Sequence, residues 1–407
     1  MNAAIARLGD ERVRLVGLIS AGHFMSHFFI LVLYPVLPLV AADLGVGFAL
    51  LGAVLTAYSI ANAVCQIPMG FLVDRFGGRL VLSAGLGLHG LAFASVWFTE
   101  SYWALFAAYA VAGIGQAVFH PADYAILSAR IDRSHLGRAV SVHTFAGNVG
   151  WGLAPPVVLV LTALVNWRFA FLIVGLVAFA IAIIIYAQTD LVGRAAPQAV
   201  RPADAQGKRQ STFRDGLKLM KSPALLILFA FFLFSSLAGS GINSVTVVSL
   251  MRIYETDIIG ANVPLTGYLW GTAAGVLVGG WLADRFNRPN LIAGGSMLGA
   301  AVCIAIVPLG ILPLALVVVA MTLVGTFTGA AAPSRDILVR QASGPNTVGV
   351  AFGFTSTGFS VAGATMPPLF GILLDTGRMD IAYGIMVAAL LVAVVACYSR
   401  GGGDAPR

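Results

Sequence analysis

Residues 70–79 read Gly70-Phe71-Leu72-Val73-Asp74-Arg75-Phe76-Gly77-Gly78-Arg79, and residues 280–288 read Gly280-Trp281-Leu282-Ala283-Asp284-Arg285-Phe286-Asn287-Arg288. Each stretch is a charged turn set between two long apolar runs. Shifting the chain by 210 residues lays Asp74-Arg75-Phe76 on Asp284-Arg285-Phe286. Working outward from the two turns, apolar stretches occupy roughly 14–42, 48–73, 79–98, 103–130, 137–164, 168–188, 223–251, 263–283, 290–310, 313–340, 347–374 and 379–398. About 20 mostly apolar residues cross a hydrocarbon core of roughly 30 Å as a helix. Backbone groups in lipid must be bonded within their own segment, so these runs read as helices. The expectation is an all-α integral membrane protein with twelve transmembrane helices.

Composition agrees. Of 407 residues, 59% are hydrophobic and 10% are charged, against about 25% charged in an ordinary soluble protein. So little charge cannot clothe a water-facing surface, which excludes a soluble enzyme, a disordered chain and a nucleic-acid binder. Cys65, Cys303 and Cys397 sit in apolar runs without metal or disulfide spacing and read as small core residues. The first apolar run is too long for a signal-peptide core and is read as retained.

The distribution of the +7 net charge sets the orientation. With the N-terminus inside, twenty of the 24 Lys and Arg residues face the cytoplasm, and Arg168, Arg252 and Arg378 face outward. Arg335 remains within a span. Both termini are therefore expected in the cytoplasm. A polar stretch at 190–222 separates six spans from six, giving an N-terminal bundle (1–189), a cytoplasmic linker (190–222) and a C-terminal bundle (223–407). A shift of 212 lays Pro121 on Pro333, Gly137 on Gly349, Ala139 on Ala351 and Pro155-Pro156 on Pro367-Pro368, which points to duplication of a six-span half.

The two charged turns resemble the G-x-L-a-D-R-x-G-R/K signature of the major facilitator superfamily. With the twelve spans and the half-chain shift, the resemblance covers nearly the whole chain. It implies two pseudo-symmetric six-helix bundles with a solute site near the midplane between them. It also implies a cytoplasmic gate latch involving Gly70, Asp74, Arg75, Gly77 and Arg79, with Arg130, Asp132, Arg133 and Arg138 as partners. Gly280, Asp284, Arg285 and Arg288 form the second copy, where Asn287 replaces the glycine. The alternative for these charges is a purely topological role. A narrower resemblance, to fosmidomycin-resistance-type exporters, rests on His23-Phe24, Tyr34-Pro35, the run Gly113 to Pro121, and Gly147-Asn148-Val149-Gly150. It implies proton-driven export of a small toxic solute. Two departures accompany it. Tyr109 stands where many proton-coupled members carry arginine, and Gly147, Gly150, Gly152, Pro155 and Pro156 match the drug-antiporter pattern of span 5 only in part.

Ionisable groups inside a span are costly and mark functional candidates. His23 and His27 share one face of span 1 at i, i+4 spacing. His120 and Asp123 lie in span 4 and His143 in span 5. On the family resemblance, spans 1, 4, 7 and 10 line the cavity, so His23, His27, His120 and Asp123 border it. Histidine titrates near physiological pH and can carry a coupling proton or bind an anion. The alternative is a histidine hydrogen-bonded between helices, the expected role of His89. Asp123 falls opposite Arg335 in the repeat, and the two are expected to approach across the pseudo-two-fold axis. There they would close an inner gate or hold the charged end of a solute. Tyr34, Tyr58, Gln66, Gln116, Asn148 and Asn243 are further candidate hydrogen-bonders, with polar interhelical contact as the alternative. Gly271, Gly275 and Gly279 in span 8, and Gly349 and Gly353 in span 11, form small-residue stripes that permit close, sliding helix contacts.

No phosphate-binding loop or ATPase signature is present, so the energy must come from a gradient or from the solute itself. The reading is a secondary active transporter of the inner membrane, not an enzyme, working by alternating access and coupled to protons. Its solute is small, organic, and anionic or zwitterionic. Its partners are that solute, protons and the lipid bilayer; no nucleic acid, cofactor or bound metal is expected, and the unit is a monomer. Alternatives are a proton-driven drug or metabolite efflux pump, a metal-ion or metal-chelate transporter using the histidines, and a receptor or scaffold that keeps the fold without transporting.

Overall fold

The computed structural model describes residues 2–192, 221–343 and 348–399. Most of the expected linker, 193–220, lies outside them. Among the described residues the chain is helical throughout, with short 3-10 turns and no strand. It divides into two compact units, residues 1–46 with 53–201 and residues 47–52 with 202–407.

The first unit holds α1 (Asn2–Leu31), α2 (Leu37–Leu44), most of α3 (Phe48–Phe76), α4 (Gly78–Ala94), α5 (Tyr102–Gln116), α6 (Phe119–Arg130), α7 (Arg133–Leu164), α8 (Trp167–Ala187) and the short α9 (Thr189–Val192). The second holds α10 (Pro223–Ile253), α11 (Ile258–Phe286), α12 (Pro289–Ala305), α13 (Leu314–Ala342), α14 (Val348–Asp375) and α15 (Met379–Tyr398). Helix starts follow from local chemistry. The Ser101 and Asn166 side chains accept from the amides of Ala104 and Phe169, and Asp257 accepts from Gly260. Pro223 and Pro289 occupy first-turn positions, where an amide N–H has no intrahelical partner.

Among the described residues, eleven segments are long and apolar enough to cross a membrane. The remaining expected span, 263–283, lies on α11, which is 29 residues long but diluted by glycine and threonine. The outsides of the helices are apolar. On α3, Val64, Ile67 and Phe71 expose 67–73% of their surface along one stripe, while Asp123, His89 and His143 are buried. An apolar exterior around buried ionisable groups is the arrangement a lipid solvent selects. The chain is a multi-pass membrane protein.

The glycine stripe of α11 serves packing within the second unit. A Cβ on Gly271, Gly275 or Gly279 would collide with backbone of α13, and one on Gly325 or Gly329 with backbone of α11. Two helices therefore touch backbone to backbone along three turns. Gly353 differs, since nothing lies within 4 Å of a Cβ built there.

Candidate functional site

In the first unit three helices deliver one cluster. α1 supplies His23 and His27 one turn apart, α6 supplies His120 and Asp123, and α7 supplies His143. The Oδ2 of Asp123 lies 3.3 Å from His23 Nδ1 and 3.3 Å from His143 Nε2. All three side chains are buried, Asp123 completely. The His23 ring stacks on His143 at 3.9 Å between centroids, sits 4.5 Å from His27 and 5.8 Å from His120. His27 in turn packs 4.4 Å from Trp151. Tyr124, for which the sequence carries no signal, lies 6.2 Å from His143.

Two local features make the cluster possible. First, span 4 is interrupted: α5 ends at Gln116 and α6 begins at Phe119. Pro121 removes one amide and crowds the carbonyl four residues back, while Val118, Phe119 and His120 are all weak helix formers. The restarted helix carries His120 and Asp123 in its first two turns. Second, α7 places Gly147 against the imidazoles. A Cβ there would stand 2.8 Å from His27 Nδ1 and 3.0 Å from His23 Cδ2. Glycine is the residue that leaves room for both rings.

The contacts around Asp123 are close, yet neither carboxylate oxygen has a well-directed hydrogen bond. Nor do His23 Nδ1, His27 Nδ1 or either nitrogen of His143. Buried polar groups are nearly always hydrogen-bonded, and an unpaired one is costly. The carboxylate and imidazoles are thus gathered around a common point without being locked to each other. Such a set can share a proton; its three nearest nitrogen and oxygen atoms also lie within 4.8 Å of one another, so its donor types and spacing suit a metal ion equally.

The other candidates of the first unit stand apart from the cluster, and those of the second unit are described on their own. Tyr34 is buried in a 3-10 turn between α1 and α2, where Pro35 interrupts span 1. His89 is buried among rings, 4.1 Å from Phe29 and 5.1 Å from Phe93. Asn148 donates to the Thr144 carbonyl of its own helix at 3.3 Å. In the second unit the Asn243 side-chain oxygen is buried without a hydrogen bond. Arg335 donates from Nε to Asp336 at 3.0 Å and rests on the rings of Phe232 and Phe359, 4.4 and 5.3 Å from their centroids. The sequence offered no signal for those two phenylalanines, which come from α10 and α14.

The two charged turns differ in geometry. Gly77 has φ 86° and ψ 148°, a conformation open essentially to glycine, and it caps α4. Asn287 has φ 46° and ψ 34°, the left-handed helical region that asparagine tolerates. This explains how Asn287 replaces the motif glycine. Asp74, Arg75, Asp284, Arg285 and Arg288 are exposed, and Gly70 and Gly280 have open space beside them. Arg79 donates to the Tyr186 carbonyl and lies over the Tyr186 ring. Arg130 reaches the carbonyls of Asp190 and Leu191, and Arg12 pairs with Asp132. Arg79 is thus held at the C-terminal end of α8, where carbonyl dipoles favour cations.

A six-helix unit with interrupted spans and ionisable groups buried beside the interruption is the construction of a secondary transporter. Sequence comparison agrees. The family model of the Major Facilitator Superfamily matches residues 19–261 and 231–404. The chain belongs to the major facilitator superfamily. It is 24% identical over 395 residues to the fosmidomycin resistance protein of Escherichia coli, covering 94% of this chain and 92% of that one. It is 26% identical to the probable sulfoacetate transporter of Cupriavidus necator, covering 95% and 93%. Among solved structures it resembles a bacterial homologue of the human lysosomal transporter Spinster, in an inward-facing and unoccupied conformation. That likeness has a TM-score of 0.76 at 15% identity and covers 95% of each chain. The family and these relatives are transporters, not enzymes, and they move small solutes across a membrane.

Proposed function

We propose that this chain is a secondary active transporter of the inner membrane that couples inward proton flow to movement of a small organic anion. It would work by alternating access of two six-helix halves, residues 1–189 and 223–407, with twelve spans and both termini in the cytoplasm, as a monomer. The observation that carries the reading is Asp123: a fully buried carboxylate within 3.3 Å of imidazoles on two other helices. A carboxylate and imidazoles are the side chains that can pass a proton between them, and here they meet where three helices pack, so a change of charge at this point can be tied to a movement of those helices. The anionic character of the solute is supported by Arg335, which carries charge inside a span, and by sulfoacetate, the solute in the name of the Cupriavidus relative. The resistance phenotype in the name of the Escherichia coli relative supports export as the second reading.

The test is flux in proteoliposomes, with sulfoacetate first and a panel of carboxylates, sulfonates and phosphonates beside it. An imposed pH gradient drives uphill movement, and its sign assigns import or export. Asp123→Asn loses driven flux by about a hundredfold or more, the scale of removing one partner of a buried charged set, ~3–5 kcal/mol, while gradient-free counterflow persists. Wild-type flux that ignores the pH gradient rejects proton coupling. Metal transport, which the same residue types permit, predicts instead that zinc raises the melting temperature of the purified protein and that solute flux is absent.

A further inference from the structure

The surroundings of Arg335 make a more specific statement about the solute. Phe232 on α10 and Phe359 on α14 stand 4.9 Å apart between centroids and tilted by 58°. The Arg335 carbon Cζ is 4.4 Å from one centroid and 5.3 Å from the other. These three separations are nearly equal, so both rings lie on the same side of the guanidinium. They form an aromatic corner, and the cation rests in it.

The remaining contact is one-ended. Asp336 Oδ1 accepts from Nε at 3.0 Å. A carboxylate that only neutralised the charge would take the two-pronged arrangement that arginine favours. Asp336 takes a single prong, and neither Nη donates to any described residue. The guanidinium side chain is 18% exposed, so it is recessed but reachable. Its plane is therefore set by two rings and its near edge by Asp336, while the Nη1–Nη2 edge keeps its N–H donors free. That edge has the spacing of two oxygens on one acid group.

We propose that Arg335 is an oxyanion-binding residue that grips a carboxylate, sulfonate or phosphonate of the solute through both Nη groups. Phe232, Phe359 and Asp336 are positioning residues that hold its orientation. The inference rests on the anionic-solute part of the proposed function and is independent of the Asp123 cluster.

Phenylglyoxal, which attacks exposed guanidinium groups, reads the site directly by mass spectrometry of purified protein. Sulfoacetate or methylphosphonate slows modification of Arg335 in a dose-dependent way, by about tenfold at ten times the dissociation constant, while chloride at equal ionic strength does not. Arg340, exposed at the end of the same helix, shows no protection. Oxyanion-dependent thermal stabilisation disappears in Arg335→Lys, which keeps the charge but lacks the fork, and survives in Arg340→Lys. Phe232→Leu weakens protection and Phe232→Tyr restores it; a residue that only filled space would accept leucine. Modification of Arg335 that is insensitive to oxyanions, or equally sensitive to chloride, overturns the proposal. The wild-type protection decides the matter even if a variant fails to fold. Protection without gradient-driven flux leaves the oxyanion site standing and rejects proton coupling, whereas driven flux without protection does the reverse.

Discussion

Asp123 and Arg335 hold matched positions in the two halves of the repeat, yet the halves build opposite environments around them. Asp123 has no exposed surface and faces two imidazoles. Arg335 is recessed, partly exposed and set in an aromatic corner. The helices differ as well. Span 4 breaks between α5 and α6, whereas α13 runs unbroken from Leu314 to Ala342 through Pro333. Both carry the proline at the same place. In the first half the residues before it are Val118-Phe119-His120; in the second they are Ala330-Ala331-Ala332. Alanine is the strongest helix former and the first set are weak ones. A proline costs a helix a hydrogen bond, and whether the helix breaks depends on what its neighbours contribute. The shift that lays Asp123 on Arg335 also lays Gly147 on Phe359. One half uses glycine to admit histidine rings; the other uses phenylalanine to seat a guanidinium. Matched positions of the two halves thus carry different chemistries, set by their side chains and by whether the helix breaks at the shared proline.

The sharpest way to break this contrast is to exchange the paired residues. Gly147→Phe drives a ring into His23 and His27 and disperses the cluster. Driven flux falls at least as far as in Asp123→Asn, by about a hundredfold or more, in keeping with the cost of a disrupted buried charged set. If Gly147→Phe transports normally, the cluster is not the coupling element. Phe359→Leu removes one wall of the corner. Losing a cation–π contact of roughly 1 kcal/mol raises the solute KM by about fivefold, without lowering the maximal rate under a pH gradient. An unchanged KM would mean that Phe359 only packs. The twin turns give the smaller effects. Gly77→Ala forces a Cβ into a glycine-only conformation and lowers stability by about 1–3 kcal/mol, seen as loss of monodisperse protein on heating. Asn287→Gly, at a position glycine accepts freely, stays within about 0.5 kcal/mol of wild type. Equal losses at both turns would show that backbone conformation does not separate them.

Much of this was legible along the chain. Apolar length and the scarcity of charge determined a helical membrane protein, because lipid permits no other open backbone. The half-chain shift and the twin Asp-Arg turns marked the duplication. The family signature covered both halves. His23 and His27 declared their common face through helical spacing, and Asp123 and Arg335 stood out because charge inside a span is costly.

What the chain alone did not contain is which of these groups meet. His143 is 20 residues beyond Asp123 and 120 beyond His23, and only the packing of α1, α6 and α7 brings the three within 4.8 Å. In the sequence Gly147 is one small residue among many, and only the fold sets two imidazoles against it. Phe232 and Phe359 are two of 25 phenylalanines, a residue type found both buried and exposed in this chain, and no spacing or motif sets these two apart. Their role exists only because α10 and α14 converge on Arg335. Spacing along a single helix is written in sequence by its 3.6-residue period, so faces and spans can be read from it. Contacts between helices depend on crossing, rotation and the exact point where a helix breaks, and those were decided by tertiary packing.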